Sequence, residues 1–559
     1  MTVFANSALW LLLTVASLSG SRAFAVPQAG GAPATNGFRI SGTVVSKADG
    51  HSLARARVTV RDVKDAQKFR FMVTSEDGRF EFNGIPAGKY SLEGAKHGFI
   101  SAAYDQHDQF STAIVTGAGF DTETLVLRLA PDAVISGKVL DEVGDPVRRA
   151  MVTLYYVDHS GGVDQIHPAR SGQTDDQGAY EMTPLTPGTY FLSASAKPWY
   201  ALHTHSDEAG AEGAKQVATT TDQRLSNRIL DVAYPVTYYS DVTEAESASP
   251  IPVRGGDRVQ VDIHLNPVPA LRLFFHVPEN GRNGYTFPQL QQPAFDGLTF
   301  VQTDGGRLVS PGVLEITGIP AGRYNVRLPG PEANFQMTGI DLTKDGEEVD
   351  TSRGEALSTV KVSVQIPGEA TLPSRLLVGL RAARGLPVAW RNVDPKGEAE
   401  LQQIAAGRYE VLVQGSPRRY SIAHMLADGA QVAGHTLTLV PGSSPSVSLT
   451  LVAGSVELEG IAKRDGTAFA GAMVVLVPKD PEINRDLFRR DQSDLDGTFV
   501  LHAVVPGSYT LVAIDNGWDL DWSQPGVIAA YLKRGRTIQV GDKSGRPVSI
   551  LEPVLVQPK

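Results

Sequence analysis

A thirteen-residue frame recurs five times along the chain, and it constrains the fold more than any other feature of the sequence. The first copy runs from Gly78 to Tyr90 as Gly-x-Phe-x-Phe-x-x-Ile-Pro-Ala-Gly-x-Tyr. Every copy keeps its first glycine and its tyrosine twelve residues apart, with an aliphatic residue and a second glycine at fixed steps between them. The other copies span residues 178–190, 312–324, 397–409 and 497–509. Five copies at unequal intervals predict five related domains, each longer than a solenoid repeat.

Within the frame, the residue pattern predicts two antiparallel strands joined by a tight corner. Phe80 and Phe82 alternate with polar residues, which is the period of a strand with one face on a core. At the corner, Pro86 fixes one backbone angle and Gly88 can take the positive φ that tight turns often need. Just upstream, Asp77-Gly78 predicts a hairpin turn.

The tyrosine that ends the frame is predicted to be a core anchor. A tyrosine at the start of a strand, just past such a corner, can bury its ring and return its hydroxyl to nearby backbone, as in the tyrosine corner of sandwich folds. A ligand-facing tyrosine is the alternative. The anchors predicted in this way are Tyr90, Tyr190, Tyr324, Tyr409 and Tyr509.

Length, charge and cysteine content narrow the class of protein. The 559 residues suit five domains of ordinary size, each able to bury its own core. A formal net charge of -10 without a block of lysine or arginine argues against a nucleic-acid or anionic-membrane partner. Because the chain has no cysteine, disulfides, thiolate metal sites and cysteine nucleophiles are excluded.

The N-terminal residues have the pattern of an export signal. An apolar run over residues 8–16 is followed by Ala23-Phe24-Ala25, a small-x-small cleavage pattern. We therefore expect a signal peptide over 1–25, a flexible linker over 26–36, and a periplasmic or extracellular protein; a loose hydrophobic tail is the alternative. No later stretch approaches 18 apolar residues, which predicts no membrane span after signal removal.

Further motifs around the frame resemble a known family. Domain one carries Ile40-Ser41-Gly42-Thr43-Val44 and Ala56-Arg57-Val58-Thr59-Val60 before the frame, and similar segments precede the second and fifth copies. Together with Ile-Pro-Ala-Gly-x-Tyr, they resemble the carboxypeptidase regulatory-like domain, a prealbumin-like sandwich appended to metallocarboxypeptidases. Copies three and four keep only the frame. The resemblance implies a Greek-key sandwich, grouped with starch-binding-like folds and often found in secreted proteins without an attached enzyme.

The predicted fold is all-β, a tandem array of five Greek-key β-sandwich domains of the prealbumin-like type. Many short strands with turn signals at about ten-residue spacing indicate sandwiches independently of the resemblance. The predicted boundaries are 37–131, 132–267 with a long loop insertion over 201–250, 268–356, 357–452 and 453–559.

The sequence holds no catalytic constellation that we recognise, so neither an enzyme nor a cofactor is predicted. His-Glu-x-x-His, Gly-x-Ser-x-Gly and a phosphate-binding glycine loop are all missing. The residues His203, His205, Asp207 and Glu208 could bind a metal adventitiously, but a solvated loop is the preferred interpretation. Acidic turns such as Asp175-Asp176-Gln177-Gly178 are interpreted as structural turns, not calcium sites.

Aromatic residues on non-repeating loops are the candidate ligand-binding residues. Rings flanked by carboxylates and amides are used to stack and hydrogen-bond sugars, whereas packing within the protein is the alternative. The candidates are Trp518, Asp519, Asp521, Trp522, Tyr531, Trp199 and Tyr200. The predicted function is non-enzymatic binding or scaffolding at the cell envelope, with a polysaccharide or another envelope protein as partner. The alternative is an accessory or substrate-binding subunit of a secreted peptidase or glycoside hydrolase.

Overall fold

The structure is a computed structural model. It describes residues 37–203, 229–276, 288–301, 303, 306–329, 335–349, 354–369, 371–382, 387–416, 420–454, 456–541 and 547–559. The predicted signal peptide, the linker and residues 204–228 of the predicted insertion lie outside the described residues.

Strands dominate the described part of the chain, with 57% of its residues in strands and 4% in helices, which confirms the all-β prediction. The strands of sandwich 1 are β1 Phe38–Ser46, β2 Arg57–Asp62, β3 Phe69–Val73, β4 Arg79–Ile85, β5 Gly88–Ala95, β6 Ala102–Ala103, β7 Ile114–Thr116 and β8 Leu125–Leu129. Those of sandwich 2 are β9 Ala133–Leu140, β10 Met151–Asp158, β11 Gln165–Gln173, β12 Ala179–Leu185, β13 Gly188–Ser195, β14 Val232–Ala233, β15 Thr237–Tyr238, β16 Ile251–Val253, β17 Arg258–Gln260 and β18 Ile263–His264.

Sandwiches 3 and 4 follow without a helix among their described residues. Sandwich 3 has β19 Val268–Pro269, β20 Leu271–His276, β21 Gln289–Ala294, β22 Gly297–Phe300, β23 Gly306–Ser310, β24 Val313–Ile319, β25 Gly322–Pro329, β26 Phe335–Leu342, β27 Glu347–Val349 and β28 Glu355–Ala356. Sandwich 4 has β29 Ser358–Gln365, β30 Arg375–Ala382, β31 Pro387–Asn392, β32 Glu398–Ile404, β33 Gly407–Ser416, β34 Tyr420–Asp428, β35 Gln431–Ala433, β36 Thr436–Leu439 and β37 Ser446–Ala453.

Sandwich 5 adds a short α-helix between its strands. Its elements are β38 Val456–Arg464, β39 Thr467–Ala468, β40 Met473–Pro478, β41 Arg489–Gln492, β42 Thr498–Val504, β43 Gly507–Ile514, α1 Pro525–Leu532, β44 Arg536–Val540, β45 Val548–Ser549 and β46 Val554–Gln557. Short 3₁₀ helices lie at Ala245–Ser247, Arg485–Leu487 and Gly517–Asp519. In the described part of the chain, no helix has the length and apolar character that a bilayer crossing requires.

The five copies of the frame occupy the same place in the five sandwiches. In sandwich 1, β4 pairs antiparallel with β1, and β1 pairs parallel with β8, which forms the first sheet. After the corner, β5 pairs with β2 in the second sheet, whose order is β3-β2-β5-β6. Equivalent pairs recur as β12–β9 and β13–β10, β24–β20 and β25–β21, β32–β29 and β33–β30, and β42–β38 and β43–β40.

The corner is therefore a crossing between two sheets, and one detail of the sequence interpretation was wrong. The strands on either side of the corner, β4 and β5, belong to different sheets, and so do β3 and β4 on either side of Asp77-Gly78. The turn at Gly78, whose amide donates to the Ser75 carbonyl at 3.0 Å, thus joins two sheets and is not a hairpin. A local sequence such as Asp-Gly predicts that the chain turns, but it does not predict which strand will pair with the strand after the turn.

The predicted tyrosine corner is confirmed in all five sandwiches. Each tyrosine ring is buried, with 2 to 7% of its surface exposed. Every hydroxyl donates to the backbone carbonyl four residues earlier, at 2.6 to 3.1 Å. The five bonds are Tyr90 to Pro86, Tyr190 to Thr186, Tyr324 to Pro320, Tyr409 to Ala405 and Tyr509 to Val505.

The two glycines of the frame have different roles from those that the sequence suggested. Gly78 has a φ of +75°, and the first glycines of the other copies also lie at positive φ. Gly88 does not have a positive φ, so the prediction for it was wrong. Instead, in four copies the tyrosine of the frame lies against the second glycine: a Cβ at Gly507 would lie 3.3 Å from the ring of Tyr509, and one at Gly322 3.3 Å from the hydroxyl of Tyr324. In copy two the ring beside Gly188 is that of Tyr156.

Five clusters of buried apolar side chains lie between the sheets, one in each sandwich of the described chain. In sandwich 1, Ile40 and Val44 from the first sheet meet Val58 and Leu92 from the second. Because side chains alternate along each strand, the opposite face of the second sheet points away from the core. We call it the outer face of a sandwich.

Replacing Tyr509 by phenylalanine should lower the free energy of unfolding by about 1 to 2 kcal/mol, because the buried Val505 carbonyl loses its donor. Tyr531→Phe in the same sandwich is the matched control, since its hydroxyl makes no hydrogen bond to the described residues. Urea denaturation of the two variants measures the difference, and equal losses in both would contradict the role of the corner.

Candidate interaction surfaces

The outer face of sandwich 5 is apolar and is covered by its own loop and by two other sandwiches. Met473, Val475 and Val477 of β40 all point to this face, where the sequence Met-Val-Val-Leu-Val-Pro has no polar alternation. Trp518, Trp522 and α1 lie on it, together with Phe110 from sandwich 1. A strand that is apolar on both faces is buried on both.

Arg490 joins three sandwiches at this surface. It lies on the edge strand β41, and only 5% of its side chain is exposed. Its guanidinium donates to Asp108 of sandwich 1 at 3.2 Å and to the Ser160 carbonyl of sandwich 2 at 3.0 Å. It also lies over the rings of Trp522, Phe110 and Trp518, with distances to their centroids of 4.3, 5.1 and 5.8 Å. Burial lowers the pKa of Arg490, and the adjacent Asp108 opposes that shift.

Sandwich 1 presents a turn to this surface. The ring of His107 stacks on Trp518 with centroids 4.9 Å apart and an interplanar angle of 7°, and Phe110 tilts against the same indole at 5.8 Å. Gln492, the last residue of β41, donates to the Thr112 hydroxyl at 2.8 Å. Its amide also donates to the backbone carbonyl of Asp105 at 2.5 Å.

A second set of contacts between sandwiches 1 and 5 uses the frame itself. The ammonium of Lys89 lies 2.6 Å from Asp494 and 3.6 Å from Asp496, which both precede the first glycine of the fifth copy. Asp494 also accepts the backbone amide of Ala113 at 2.8 Å. Burial raises the pKa of Asp494, and the bond from Lys89 opposes that rise. The acidic turn in this copy is thus neutralised by a lysine from another sandwich.

Sandwich 2 reaches the same region through His159. Its Nε2 atom lies 2.8 Å from the Leu520 carbonyl, and its Nδ1 atom lies 2.6 Å from Asp164 and 3.6 Å from Asp521. Burial disfavours the charged imidazole, but the hydrogen bonds to Asp164 and Leu520 outweigh it and raise the pKa of His159. The side-chain ligand atoms of His159, Asp164 and Asp521 lie within 4.8 Å of one another, a spacing that would suit a small cation as well as an ion pair.

The outer face of sandwich 2 is covered by sandwich 3. Phe295 inserts among Tyr155, Phe191 and Tyr238, with ring centroids 4.9, 4.8 and 5.6 Å away. The neighbouring Asp296 accepts the backbone amide of Ile166, on the edge strand β11, at 2.7 Å. Both Phe295 and Asp108 lie in turns at positive φ, +52° and +51°.

Sandwich 1 has an equivalent outer face that remains exposed. Alternate residues of β2 and β3 and three consecutive residues of β5 line a groove of about 280 Å³, with two aromatic rings, two arginines and one carboxylate. The groove is lined by Arg57, Thr59, Arg61, Phe69, Phe71, Glu93, Gly94 and Ala95. Phe69 and Phe71 are 50% and 64% exposed.

The predicted ligand-binding residues fall into two groups in the structure. Trp518 and Trp522 are each 9% exposed and belong to the covered face of sandwich 5, where the Trp518 indole donates to the Gly471 carbonyl at 3.3 Å. Tyr531 is partly buried against the same cluster. Asp519 pairs with Lys559, and Asp521 accepts the Gln524 amide at 2.7 Å. Packing thus accounts for their positions, and ligand binding by this group stays a prediction.

Trp199 and Tyr200 form the second group, far along the chain from the first. Trp199 is 87% exposed, and its ring meets that of Tyr200 edge-on with centroids 5.8 Å apart. The hydroxyls of Tyr200 and Tyr234 both donate to the carboxylate of Glu142. Ligand binding by Trp199 and Tyr200 also stays a prediction.

His203 does not lie in a solvated loop, contrary to the preferred sequence interpretation. Only 7% of its side chain is exposed, and its Nδ1 atom lies 2.8 Å from Asp231. The other members of the predicted weak metal cluster, His205, Asp207 and Glu208, lie outside the described residues.

Sequence reasoning missed the contacts between sandwiches, including Arg490, Phe110 and Phe295. Only one signal pointed to them: β40 is apolar at six consecutive positions, which a sandwich strand with a solvated outer face would not be. The partners lie far apart in the chain, more than 300 residues for Arg490 and Asp108 and more than 50 for Phe295 and Tyr238, and no local pattern encodes such a pairing.

Comparison with known proteins matches residues 39–129 to the model of the carboxypeptidase regulatory-like domain. This match confirms the resemblance on the first sandwich. A comparison with curated proteins finds no match.

Solved structures similar to the chain include two pilins and the TIE protein of Bacillus anthracis. The full-length major pilin RrgB from Streptococcus pneumoniae is 9% identical, with 93% of this chain and 99% of that chain covered and a TM-score of 0.17. The minor pilin GBS52 from Streptococcus agalactiae is 14% identical, with 41% and 96% covered and a TM-score of 0.20. The Bacillus anthracis TIE protein is 9% identical, with 76% of each chain covered and a TM-score of 0.17. At these scores the likeness carries no information on activity or partners.

Replacing Arg490 by lysine should destabilise the contact of sandwich 5 with sandwiches 1 and 2 by about 1 to 3 kcal/mol, because an ammonium cannot keep the planar stack and both polar contacts. Arg464→Lys is the matched control, since Arg464 pairs with Asp515 and lies over Phe469 within sandwich 5. Urea denaturation of both variants measures the difference. Equal effects would show that Arg490 contributes no more than an arginine inside one sandwich.

Asp491 should make stability depend on pH, because burial raises its pKa from 3.8 to about 6. The folded chain then binds the proton more tightly than the unfolded chain between these values, so the free energy of unfolding falls as pH rises from 4 to 6. Asp491→Asn keeps an acceptor for the Val500 amide and should be more stable than the natural chain by about 1 to 3 kcal/mol at pH 7.5. The gain should vanish near pH 4.

Urea denaturation at pH 4, 5, 6 and 7.5 measures this dependence, with the exposed Asp480→Asn as control. A gain from Asp491→Asn that is the same at every pH would show that ionisation of Asp491 is not its cause.

Proposed function

We propose that the chain is an exported, non-enzymatic scaffold of five sandwiches that binds other molecules at the cell envelope or outside the cell. The observation that carries the proposal is the use of the outer faces. In sandwiches 2 and 5 the side chains that differ among the copies serve to join one sandwich to another. A chain whose outer faces differ among the copies and bind neighbouring sandwiches is suited to binding other molecules in the same way.

The polar groups at these surfaces favour binding over catalysis. The ionised groups where sandwich 5 meets sandwiches 1 and 2 pair with one another, as in Lys89 with Asp494 and Arg490 with Asp108. A catalytic acid or base must instead be free to exchange a proton with a substrate. The charges of these pairs are satisfied inside the protein.

Export rests on the N-terminal sequence pattern, which lies outside the described residues. The apolar run and the cleavage pattern of residues 1–25 support it. A chain without cysteine that leaves the cytoplasm must be stabilised by its cores and contacts, and the five tyrosine corners and the Arg490 contacts supply these.

Carbohydrate binding is a finer form of this proposal, and Trp199 with Tyr200 is the place that favours it. An exposed indole beside a phenol whose hydroxyl is fixed by Glu142 offers a flat apolar surface with a polar edge. Loss of glycan-array binding in Trp199→Ala, with binding kept in Trp518→Phe, would support sugar recognition there.

The scaffold proposal predicts protein contacts at the exposed outer face of sandwich 1. A photo-cross-linking amino acid in place of Phe71, in cells that export the chain, should give discrete protein adducts in the exported fraction. The same group in place of Val440 of sandwich 4, which is 60% exposed and lies outside this face, is the control. Adducts that contain a secreted peptidase or glycoside hydrolase would identify the chain as its accessory subunit.

An unaltered band at position 71, together with hydrolysis of peptide, ester or glycoside substrates by the purified chain, would contradict the proposal.

A further inference from the structure

We propose that the outer face of sandwich 1 binds the exposed Trp199 loop of a second copy of this chain, so that copies join head to tail. The inference deepens the scaffold proposal by naming the partner, and it rests on that proposal only for its biological setting, since association can be measured with the purified chain.

The covered face of sandwich 2 shows what such a face binds. The element that lies on it is a turn with an aromatic ring, Phe295, and an adjacent carboxylate, Asp296. The ring packs on outer-face residues of β10 and β13, and the carboxylate accepts an amide of the edge strand β11. The ring thus makes the apolar part of the contact, and the carboxylate makes the polar part.

Sandwich 5 repeats this arrangement with a turn from sandwich 1. The ring is Phe110, which packs on Trp518, and the carboxylate is Asp108, which pairs with Arg490 on the edge strand β41. The outer faces of the second sheets in sandwiches 2 and 5 therefore each bind a turn that carries an aromatic ring and a carboxylate. In each case the carboxylate contacts the edge strand.

The outer face of sandwich 1 has the features that fit a third turn of this kind. Phe69 and Phe71 lie on its edge strand β3 and are exposed, and Arg57 and Arg61 lie beside them on β2. The guanidinium of Arg61 lies over the Phe69 ring at 5.1 Å. With two arginines against the single Glu93, the groove is positively charged and complements a carboxylate, and its arginines favour an electron-rich ring.

The Trp199 loop supplies a ring, and the neighbouring turn at Glu142 supplies a carboxylate; among the described residues, their ring contact and hydrogen bonds all stay within sandwich 2. Trp199 is the most exposed of the large aromatic side chains in the described part of the chain. Tyr200 links it to the carboxylate of Glu142, because the Tyr200 ring contacts Trp199 and the Tyr200 hydroxyl donates to Glu142. Burial opposes ionisation, but hydrogen bonds from the two phenols outweigh it and lower the pKa of Glu142, so the carboxylate stays charged.

Two different surfaces are involved, one in sandwich 1 and one in sandwich 2, and both are exposed in the same molecule. Such a contact is heterologous: each copy leaves one groove and one Trp199 loop open, so association continues into longer chains unless it closes into a ring. Tryptophan and arginine are also the residues that most often dominate binding energy at protein interfaces.

Sedimentation-velocity analysis of the purified full chain over a range of concentrations tests the inference. The natural chain should form dimers and longer species, whereas Phe71→Ser and Trp199→Ala should each weaken association at least about tenfold. A mixture of the two variants should form one-to-one dimers and stop there, since only one intact groove and one intact Trp199 loop then meet. Phe120→Ala, which removes another exposed ring of sandwich 1, is the matched control and should associate like the natural chain.

Several results would overturn the inference. These are a natural chain that stays monomeric at about 200 µM (a Kd of that size is roughly 5 kcal/mol on the usual affinity scale), association that Phe120→Ala abolishes, or association that neither Phe71→Ser nor Trp199→Ala changes. Glycan binding that depends on Phe71 and Trp199, without self-association, would also overturn it. A cross-linked envelope protein other than this chain at position 71, with a monomeric purified chain, would overturn the self-association but leave the scaffold proposal intact.

Discussion

The hydrogen bond from a buried tyrosine to the carbonyl four residues earlier is the interaction on which each sandwich depends. It closes the corner at Tyr90 and at the four equivalent tyrosines. In sandwiches 1 to 4 the chain leaves one sheet and enters the other at this corner, whereas in sandwich 5 β46 joins the two sheets. Burial favours the protonated hydroxyl and raises the pKa of Tyr509 to about 12, so the donor is kept at any physiological pH. At Gly507 and Gly322 a Cβ would come within 3.3 Å of the corner tyrosine, which favours glycine at these two positions.

This corner uses only the inner side of the second sheet, and the outer face is left free to differ among the copies. In sandwich 5 the outer face of β40 is aliphatic and receives two tryptophans and a neighbouring turn. In sandwich 2 it is aromatic and receives Phe295. In sandwich 1 it combines arginine and phenylalanine and is exposed. One scaffold thus gives three different surfaces without any change in its core.

The sequence predicted the parts of the fold that depend on neighbouring residues. Alternation at Phe80 and Phe82 and the in-phase tyrosines correctly indicated strands, cores and the tyrosine corner, because their causes lie within a dozen residues. It failed where the partner is distant. Asp77-Gly78 resembles a hairpin turn although its strands lie in different sheets. The packing of Arg490 and Phe110 on Trp522 and Trp518 was also missed, because these partners are recognisable only in the fold; ligand binding by the two indoles stays a prediction.

Native-state hydrogen exchange followed by mass spectrometry tests the central claim most directly, because it measures the opening free energy of the corners and of the contacts between sandwiches in one experiment. If the corners stabilise the cores and the outer faces join the sandwiches, peptides covering residues 105–112 and 489–496 should exchange as slowly as the corner segments 86–90 and 505–509. Slow exchange at the corners with rapid exchange in 105–112 and 489–496 would show five sandwiches that move independently, and would contradict the account.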